Sequence, residues 1–320
     1  MDAKKPIPRH LNDFLEYCEV EKGLSPTTTK NYARFLNKFF NWLKNSSSTK
    51  NIYPNELTEE HVWKYRLWLS RLPNSVKKTS PGLASSTQTR YLIALRALFA
   101  YFHEKNIPSL PTEKIKLPKE RKEKQVVFLS IEQVEKLLKS PDIKTVPGLR
   151  DRAILETLFS AGLRVAELVS LNREHLEGAE DKNDFEISIM GKGRYPRTIY
   201  FSERALLAVK EYLFRRTEDD DHALFIRTKG PHSAPLRLTT RAVETIVQKY
   251  AKKGGLSVLA TPHTLRHSFA TDLLNQGADL RSVQELPGHR NIATTQVYTH
   301  VTNKKLREVH RKFHGGRMIQ

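Results

Sequence analysis

The stretch DFEISIMGKGRYPRTIYFS, residues 184–202, decides the fold class of this chain. Phe185, Ile187 and Ile189 alternate with polar residues, a Gly-Lys-Gly turn follows at 191–193, and alternation resumes toward Ile199 and Phe201. Period-two patterning on both sides of a glycine turn predicts an antiparallel hairpin. The other periodic segments repeat every three to four residues. The expected class is therefore mainly α, with one small antiparallel sheet in the C-terminal half.

Upstream of the hairpin, LSIEQVEKLLKS opens on a capping box, Ser130 with Gln133 three residues on. GLRDRAILETLFSAGLRVAELVSL gives two helical stretches broken at Gly162. Downstream, ERALLAVKEYLFRR, TTRAVETIVQKYAKK, TPHTLRHSFATDLLNQG and DLRSVQELPG read as helices, and NKKLREVHRKF (303–313) as a short basic one. The N-terminal third is helical throughout. HLNDFLEYCEVEKG carries Leu11, Phe14, Leu15 and Cys18 on one face and stops at Gly23. In the next segment Ser25 caps and Pro26 takes the first helical position, which needs no N–H. Thr58 caps a third helix, residues 85–106 make a fourth, and the polar loop 73–84 separates the two. The expected domains are a helical unit at 1–113, a basic Pro-interrupted linker at 114–126 and a mixed unit at 127–320. No internal repeat is evident.

The 320 residues carry 54 Lys+Arg against 35 Asp+Glu, a formal net charge of +19. Residues 1–115 hold 18 basic against 10 acidic side chains and residues 116–320 hold 36 against 25, so the excess covers both halves. A long polyanion gripped from two sides, nucleic acid, is the partner this charge suits best. A single cysteine, Cys18, excludes an intramolecular disulfide and a thiolate metal cage. The start, MDAKKPIPRH, has no apolar signal core, and no run approaches the roughly 20 apolar residues of a membrane span. The expected location is the cytoplasm, away from any membrane.

Near the C-terminus, ATTQVYTHV (293–301) sets one tyrosine among threonines. A phenol has a pKa of about 10, so it must lose its proton as it bonds to a phosphodiester. Charge then grows on the two non-bridging oxygens, and the planar, permanently charged fork of arginine matches them. The departing oxygen needs a donor such as Lys or His. The C-terminal half supplies Arg164, Lys192 at the hairpin tip, His263 and Arg266 three apart on a helix start, His289 and Tyr298. His263 and His267 stand at i, i+4, as in zinc-protease helices, but Thr264 occupies the glutamate position, so no metal is expected. His267 reads as a buried structural histidine with Glu167 as a candidate partner. Each residue also has a plainer reading: Tyr298 as a packing aromatic, Arg164 as a surface ion pair, Lys192 as a turn solubiliser. Arg90 in SSTQTRY and Arg241 in LTTRAVETI open helices among short polar residues, which suits DNA contact or simple capping.

Taken together, these motifs resemble the tyrosine recombinase (phage integrase) family, and most closely its Xer type. Arg-x-x-Glu-Leu stands at 164–168, His-x-x-Arg-His at 263–267, Gly-His at 288–289, and TTQVYTHV matches the family's nucleophile segment. The resemblance runs over nearly the whole chain, including EKGLSPTTTKNY near its start. It implies a SAM-like core-binding helical bundle followed by an α+β catalytic domain, closing as a C-shaped clamp on duplex DNA. Arg164 and Arg266 would clamp the scissile phosphate, with His263 and His289 hydrogen-bonding it. Lys192 would protonate the departing 5′ oxygen, Tyr298 would take the 3′ phosphate, and Glu167 would orient the clamp. No cofactor is implied. The implied assembly is a homotetramer on two DNA sites, or a heterotetramer with a second recombinase, with the last helix docked on a neighbour and a DNA translocase as possible activator. Two positions depart from the pattern: Pro287, where a second apolar residue is usual, and Arg290, where a small polar residue is commoner.

Chromosome-dimer resolution at a dif-like site through a Holliday junction is the expected role. The alternatives are an integrase of a mobile element and a non-catalytic DNA binder of the same fold. Residues 1–8 leave no room for the extra arm-binding domain that such integrases often carry.

Overall fold

The computed structural model describes residues 5–45, 51–73, 82–118, 127–179, 182, 185–191, 195–216, 219–231, 233–257 and 260–286. The chain divides into two compact units, Met1–Glu123 and Lys124–Gln320. Among the described residues the first unit is helical: a 3-10 turn Ile7–His10, then α1 (Leu11–Val20), α2 (Pro26–Asn45), α3 (Glu59–Arg71) and α4 (Ser85–Glu104). Its starts follow the local chemistry. The Thr58 side chain accepts the N–H of His61, and Pro26 opens α2 with Ser25 Oγ accepting from Thr28 N. Phe14, Phe39, Tyr65, Phe99 and Phe102 are all fully buried. Phe39 meets Tyr65 edge-on at 4.8 Å between centroids, and Trp42 meets it at 5.2 Å. Ile115 is buried in this core and Leu117 packs against it, so the unit's packing continues into the stretch expected as linker. The rest of that stretch, 119–126, lies outside the described residues.

The second unit holds the sheet. It runs α5 (Ile131–Leu138), α6 (Val146–Ala161), α7 (Val165–Ser170), β1 (Phe185–Met190), β2 (Pro196–Phe201), α8 (Glu203–Arg215), α9 (Thr240–Lys253), α10 (Pro262–Gln276) and α11 (Leu280–Glu285). β1 and β2 pair antiparallel with Ile187 opposite Ile199 and Ile189 opposite Arg197. Ile187, Ile189, Ile199 and Phe201 turn inward and their alternates face out, as period two requires. The fold is mainly helical with a two-stranded antiparallel sheet, as the sequence predicts. No helix among the described residues is long and apolar enough to cross a membrane. The hairpin tip 192–194, the residues from 287 onward and with them the 303–313 helix lie outside the described residues.

α6 is the hub, packed by α8, α10 and β2. It buries residues on every side, polar ones included. Asp151 is satisfied there by Arg150 Nε at 2.9 Å and by the Tyr250 hydroxyl at 2.9 Å. The helix ends at Gly162, which adopts φ +55°, a left-handed conformation that costs other residues energy. A Cβ there would also lie 2.4 Å from Cδ1 of Phe269. Both constraints demand glycine, and they set the turn that delivers Arg164 to the start of α7.

Gly162→Ala is therefore expected to lower stability by roughly 2 kcal/mol or more through strain plus overpacking. Chemical denaturation checks this, and an unchanged midpoint would remove the argument for a glycine-specific junction.

Candidate active site

Arg164 stands at the N-cap of α7, one turn before Glu167. The first turn of a helix leaves backbone N–H groups without helical partners, and Glu167 answers one of them. Its Oε2 accepts the Arg164 backbone N–H at 2.9 Å and its Oε1 accepts Arg164 Nη1 at 2.7 Å. A third donor arrives from β2, where Arg197 Nη2 reaches Oε2 at 2.8 Å. Glu167 is only 5% exposed. Burial pushes its carboxyl up. The Arg197 hydrogen bond, the Arg164 backbone N–H, the Arg197 charge and the Arg164 side-chain bond outweigh that and hold it below the usual carboxylate range. The cluster carries two positive charges and one negative.

Arg266 comes from α10. Thr261 caps that helix by accepting the N–H of Thr264, and Pro262 takes its first turn. Arg266 is 3% exposed and donates Nη1 to the carbonyl of Gly162 at 2.7 Å. The bond ties α10 to the end of α6, two residues before Arg164. Ser268 supports the same helix, accepting the Leu129 N–H at 2.8 Å and donating to the carbonyl of Thr264 at 3.0 Å.

His263 and His267 share the outer face of α10. Their Nε2 atoms are 3.0 Å apart and the rings meet edge-on at 4.2 Å. His267 is half-buried and meets His263; the oxygens of Glu167 are held by Arg164 and Arg197. The expected His267–Glu167 pairing thus gives way to a histidine pair, because two guanidiniums compete better than a neutral imidazole for a buried carboxylate. Desolvation, then His263 and Arg266, push the His267 imidazolium down to about 4. Desolvation, then Arg266 and Arg164, lower His263 as well. Both rings are neutral near pH 7, so one Nε2 donates and the other accepts. Among the described residues no group of three His, Cys, Asp or Glu is placed to hold a metal ion.

Of the sequence-derived candidates, Arg164, Glu167, His263 and Arg266 come together. Lys192, His289 and Tyr298, with Pro287 and Arg290, lie outside the described residues. Arg90 is exposed in the first turns of α4. Arg241 is exposed on α9 and donates to Glu244 Oε2 at 2.9 Å, an ordinary i, i+3 surface pair. Arg197 was not among the candidates. The available signal was local: a glutamate one turn after a helix-starting arginine, once buried, needs further donors, and the nearby hairpin carries an arginine five residues past Lys192.

Comparison with known proteins gives one consistent group. The family model for the "Phage integrase family" matches residues 127–305, and that for the "Phage integrase, N-terminal SAM-like domain" matches residues 11–106. The tyrosine recombinase XerC of Pelotomaculum thermopropionicum is 37% identical over 317 residues, spanning 95% of this chain and 97% of the relative. The tyrosine recombinase XerD of Listeria innocua is 37% identical over 313 residues, spanning 95% and 98%. Among solved structures, the XerH site-specific recombinase bound to difH substrate, a pre-cleavage complex, aligns with TM-score 0.66 at 24% identity, over 92% of this chain and 83% of that one. The Tn1549 transposon integrase in complex with transposon right-end DNA aligns with TM-score 0.67 at 19% identity, over 95% and 99%. At these identities the structures speak for the fold.

The histidine pair makes a pH prediction. The fold disfavours both charged rings, so unfolding takes up protons as pH falls below 6.5, down to about 4 for His267. The pair's contribution to stability is complete above 6.5 and is lost as pH falls through that window. Following the imidazole resonances by NMR is expected to give His267 a midpoint near 4. A midpoint at 6.5 would contradict the geometry.

Proposed function

The chain belongs to the phage integrase family of tyrosine recombinases, and from that premise we propose that it cuts and rejoins duplex DNA at a specific site through a 3′-phosphotyrosyl link. The observation that carries the reading is the meeting of Arg164 and Arg266 beside His263, with Arg266 bonded to the carbonyl two residues before Arg164. Two guanidiniums on fixed helix starts suit the two non-bridging oxygens of a phosphodiester.

In the proposed step the Tyr298 oxygen attacks phosphorus as its proton passes to His289. The bond from phosphorus to the 5′ oxygen breaks, and that oxygen leaves as a hydroxyl with a proton from Lys192. Arg164 and Arg266 balance the charge that builds on phosphorus. The His267–His263 pair has a part in this. With His267 Nε2–H donating to His263 Nε2, the His263 proton sits on Nδ1 and can donate to the phosphate. His289, once protonated, would then donate to the phosphate. Attack by a partner strand's 5′ hydroxyl reverses the step, so the phosphodiester energy is kept in the covalent link and the reaction needs neither ATP nor a metal ion. Glu167 stays ionised and orients Arg164.

The curated Xer relatives, 37% identical over nearly full length, support a finer reading: resolution of chromosome dimers at a dif-like site. Two pairs of protomers would exchange strands through a Holliday junction, each protomer's 303–313 segment docked on its neighbour. The net charge of +19 suits that partner. Arg90 and Arg241 remain its proposed DNA-contacting residues, with Arg241 giving up Glu244 for a phosphate or base edge.

A nicked duplex carrying the bound site, which traps the cleaved strand, tests the reaction. The chain is expected to form a covalent adduct on a denaturing gel, in EDTA and without ATP. Tyr298→Phe is expected to lose the adduct wholly while still binding the duplex. An adduct formed by Tyr298→Phe overturns the mechanism, and binding without any adduct from the unaltered chain points to a DNA-binding protein of this fold. Genome-wide mapping of bound sites separates the finer readings: a site near the replication terminus supports dimer resolution, and element ends support a mobile-element integrase.

A further inference from the structure

Among the described residues, Arg197 is the one cation at this site that the reaction does not call on directly. It lies on β2, opposite Ile189, with its side chain only 11% exposed. Its two terminal nitrogens go to different places. Nη2 donates to Glu167 Oε2 at 2.8 Å, and Nη1 donates to the carbonyl of Leu286 at the end of α11. The third nitrogen, Nε, is buried with no partner among the described residues. Burying a guanidinium is costly unless its donors are used well. A site whose only task was to fill space would more cheaply hold an apolar side chain.

Two consequences follow from those contacts. Without Arg197, Glu167 faces Arg164 alone, and the buried pair is neutral. With it, the cluster keeps a net positive charge beside the position where phosphate charge grows. The fork also fixes three elements at once: the start of α7, strand β2 and the last turn of α11. In sequence, Lys192 stands five residues before Arg197, and His289 stands three residues after Leu286.

Resting on the recombinase reading, we propose that Arg197 is a positioning residue for strand cleavage: its fork holds Glu167 so that Arg164 presents its charge to the phosphate, and it anchors the end of α11 to the same point. In this role Arg197 touches no reacting atom. It acts through Glu167 and through the Leu286 carbonyl. A lysine would keep the charge, but its donors sit on a single nitrogen and cannot reproduce the two separated donor atoms of the fork.

The test uses the full-length chain and single-turnover cleavage of the nicked duplex, with Arg197→Ala and Arg197→Lys beside the unaltered protein. Small misplacement of a charge-stabilising group costs on the order of 10²-fold in rate. Arg197→Ala is expected to cleave about 10²-fold more slowly, with duplex affinity within about threefold of the parent. Arg197→Lys is expected to recover less than a tenth of the parent rate. The decisive arm replaces one non-bridging oxygen of the scissile phosphate by methyl. A methylphosphonate carries no charge for Arg164 to balance, so the gap between variant and parent is expected to shrink at least tenfold. A defect from general loss of fold would persist on that substrate. If Arg197→Ala does not fold, Arg197→Lys carries the same comparison. Parent-like cleavage by both variants, full rescue by lysine, or a gap unchanged on the methylphosphonate overturns the proposal and leaves the recombinase reading standing. An unaltered chain that forms no adduct overturns both.

Discussion

Glu167 holds a negative charge almost out of reach of water, and nothing around it can be neutral by default. Desolvating a carboxylate costs several kcal/mol, and leaving one unpaired costs more. The local solution is a helix start whose backbone N–H and arginine side chain both point at the carboxylate, completed by an arginine from the neighbouring strand. The positions of α7 and β2 are thereby coupled to one ion. So is the orientation of Arg164, which cannot swing away without exposing that carboxylate's need for donors. Rigidity at this candidate site comes from a buried charge that must stay paired, and hydrophobic packing supplies the frame around it.

The frame differs between the two units. The first is built on aromatic rings, with Phe39, Trp42, Tyr65 and Trp68 in a chain of ring contacts. Burial pushes the Tyr65 phenol well up, and its hydroxyl is buried without a partner among the described residues. The second is mostly aliphatic, with ion-pair groups set inside it: Arg150 with Asp151 and Tyr250, and Arg216 with Asp219. That division fits the chemistry proposed for each. A surface that binds by charge needs only a stable back, whereas a reacting centre needs side chains held at fixed angles.

Much of this was legible in the sequence because it is local. Ser130, Thr58 and Pro26 mark their helix starts by short-range hydrogen bonding, Gly162 marks a break, and alternation around residues 185–201 marks a hairpin. Arg164, Glu167 and the His263–Arg266 spacing were visible as motif residues. What was missed depends on contacts between distant positions. Arg197 meets Glu167 across 30 residues and Leu286 across 89. The partner of His267 was misread because i, i+4 proximity to His263 competed with a long-range acceptor already taken by two stronger donors. Ile115 and Leu117 looked like linker because lysines and prolines surround them, yet two apolar side chains sufficed to extend the first core.

The junction at Gly162 has a consequence for how such chains can drift. A Cβ on it would run into the ring of Phe269, its carbonyl receives Arg266, and its backbone turn launches Arg164. Positions 162, 164, 266 and 269 therefore form one heritable block, though a hundred residues separate its halves. A designer grafting the arginine motif alone onto another scaffold would import the charges without their footing, and recombining halves of divergent homologues between α6 and α10 would break a fit that neither parent lacks.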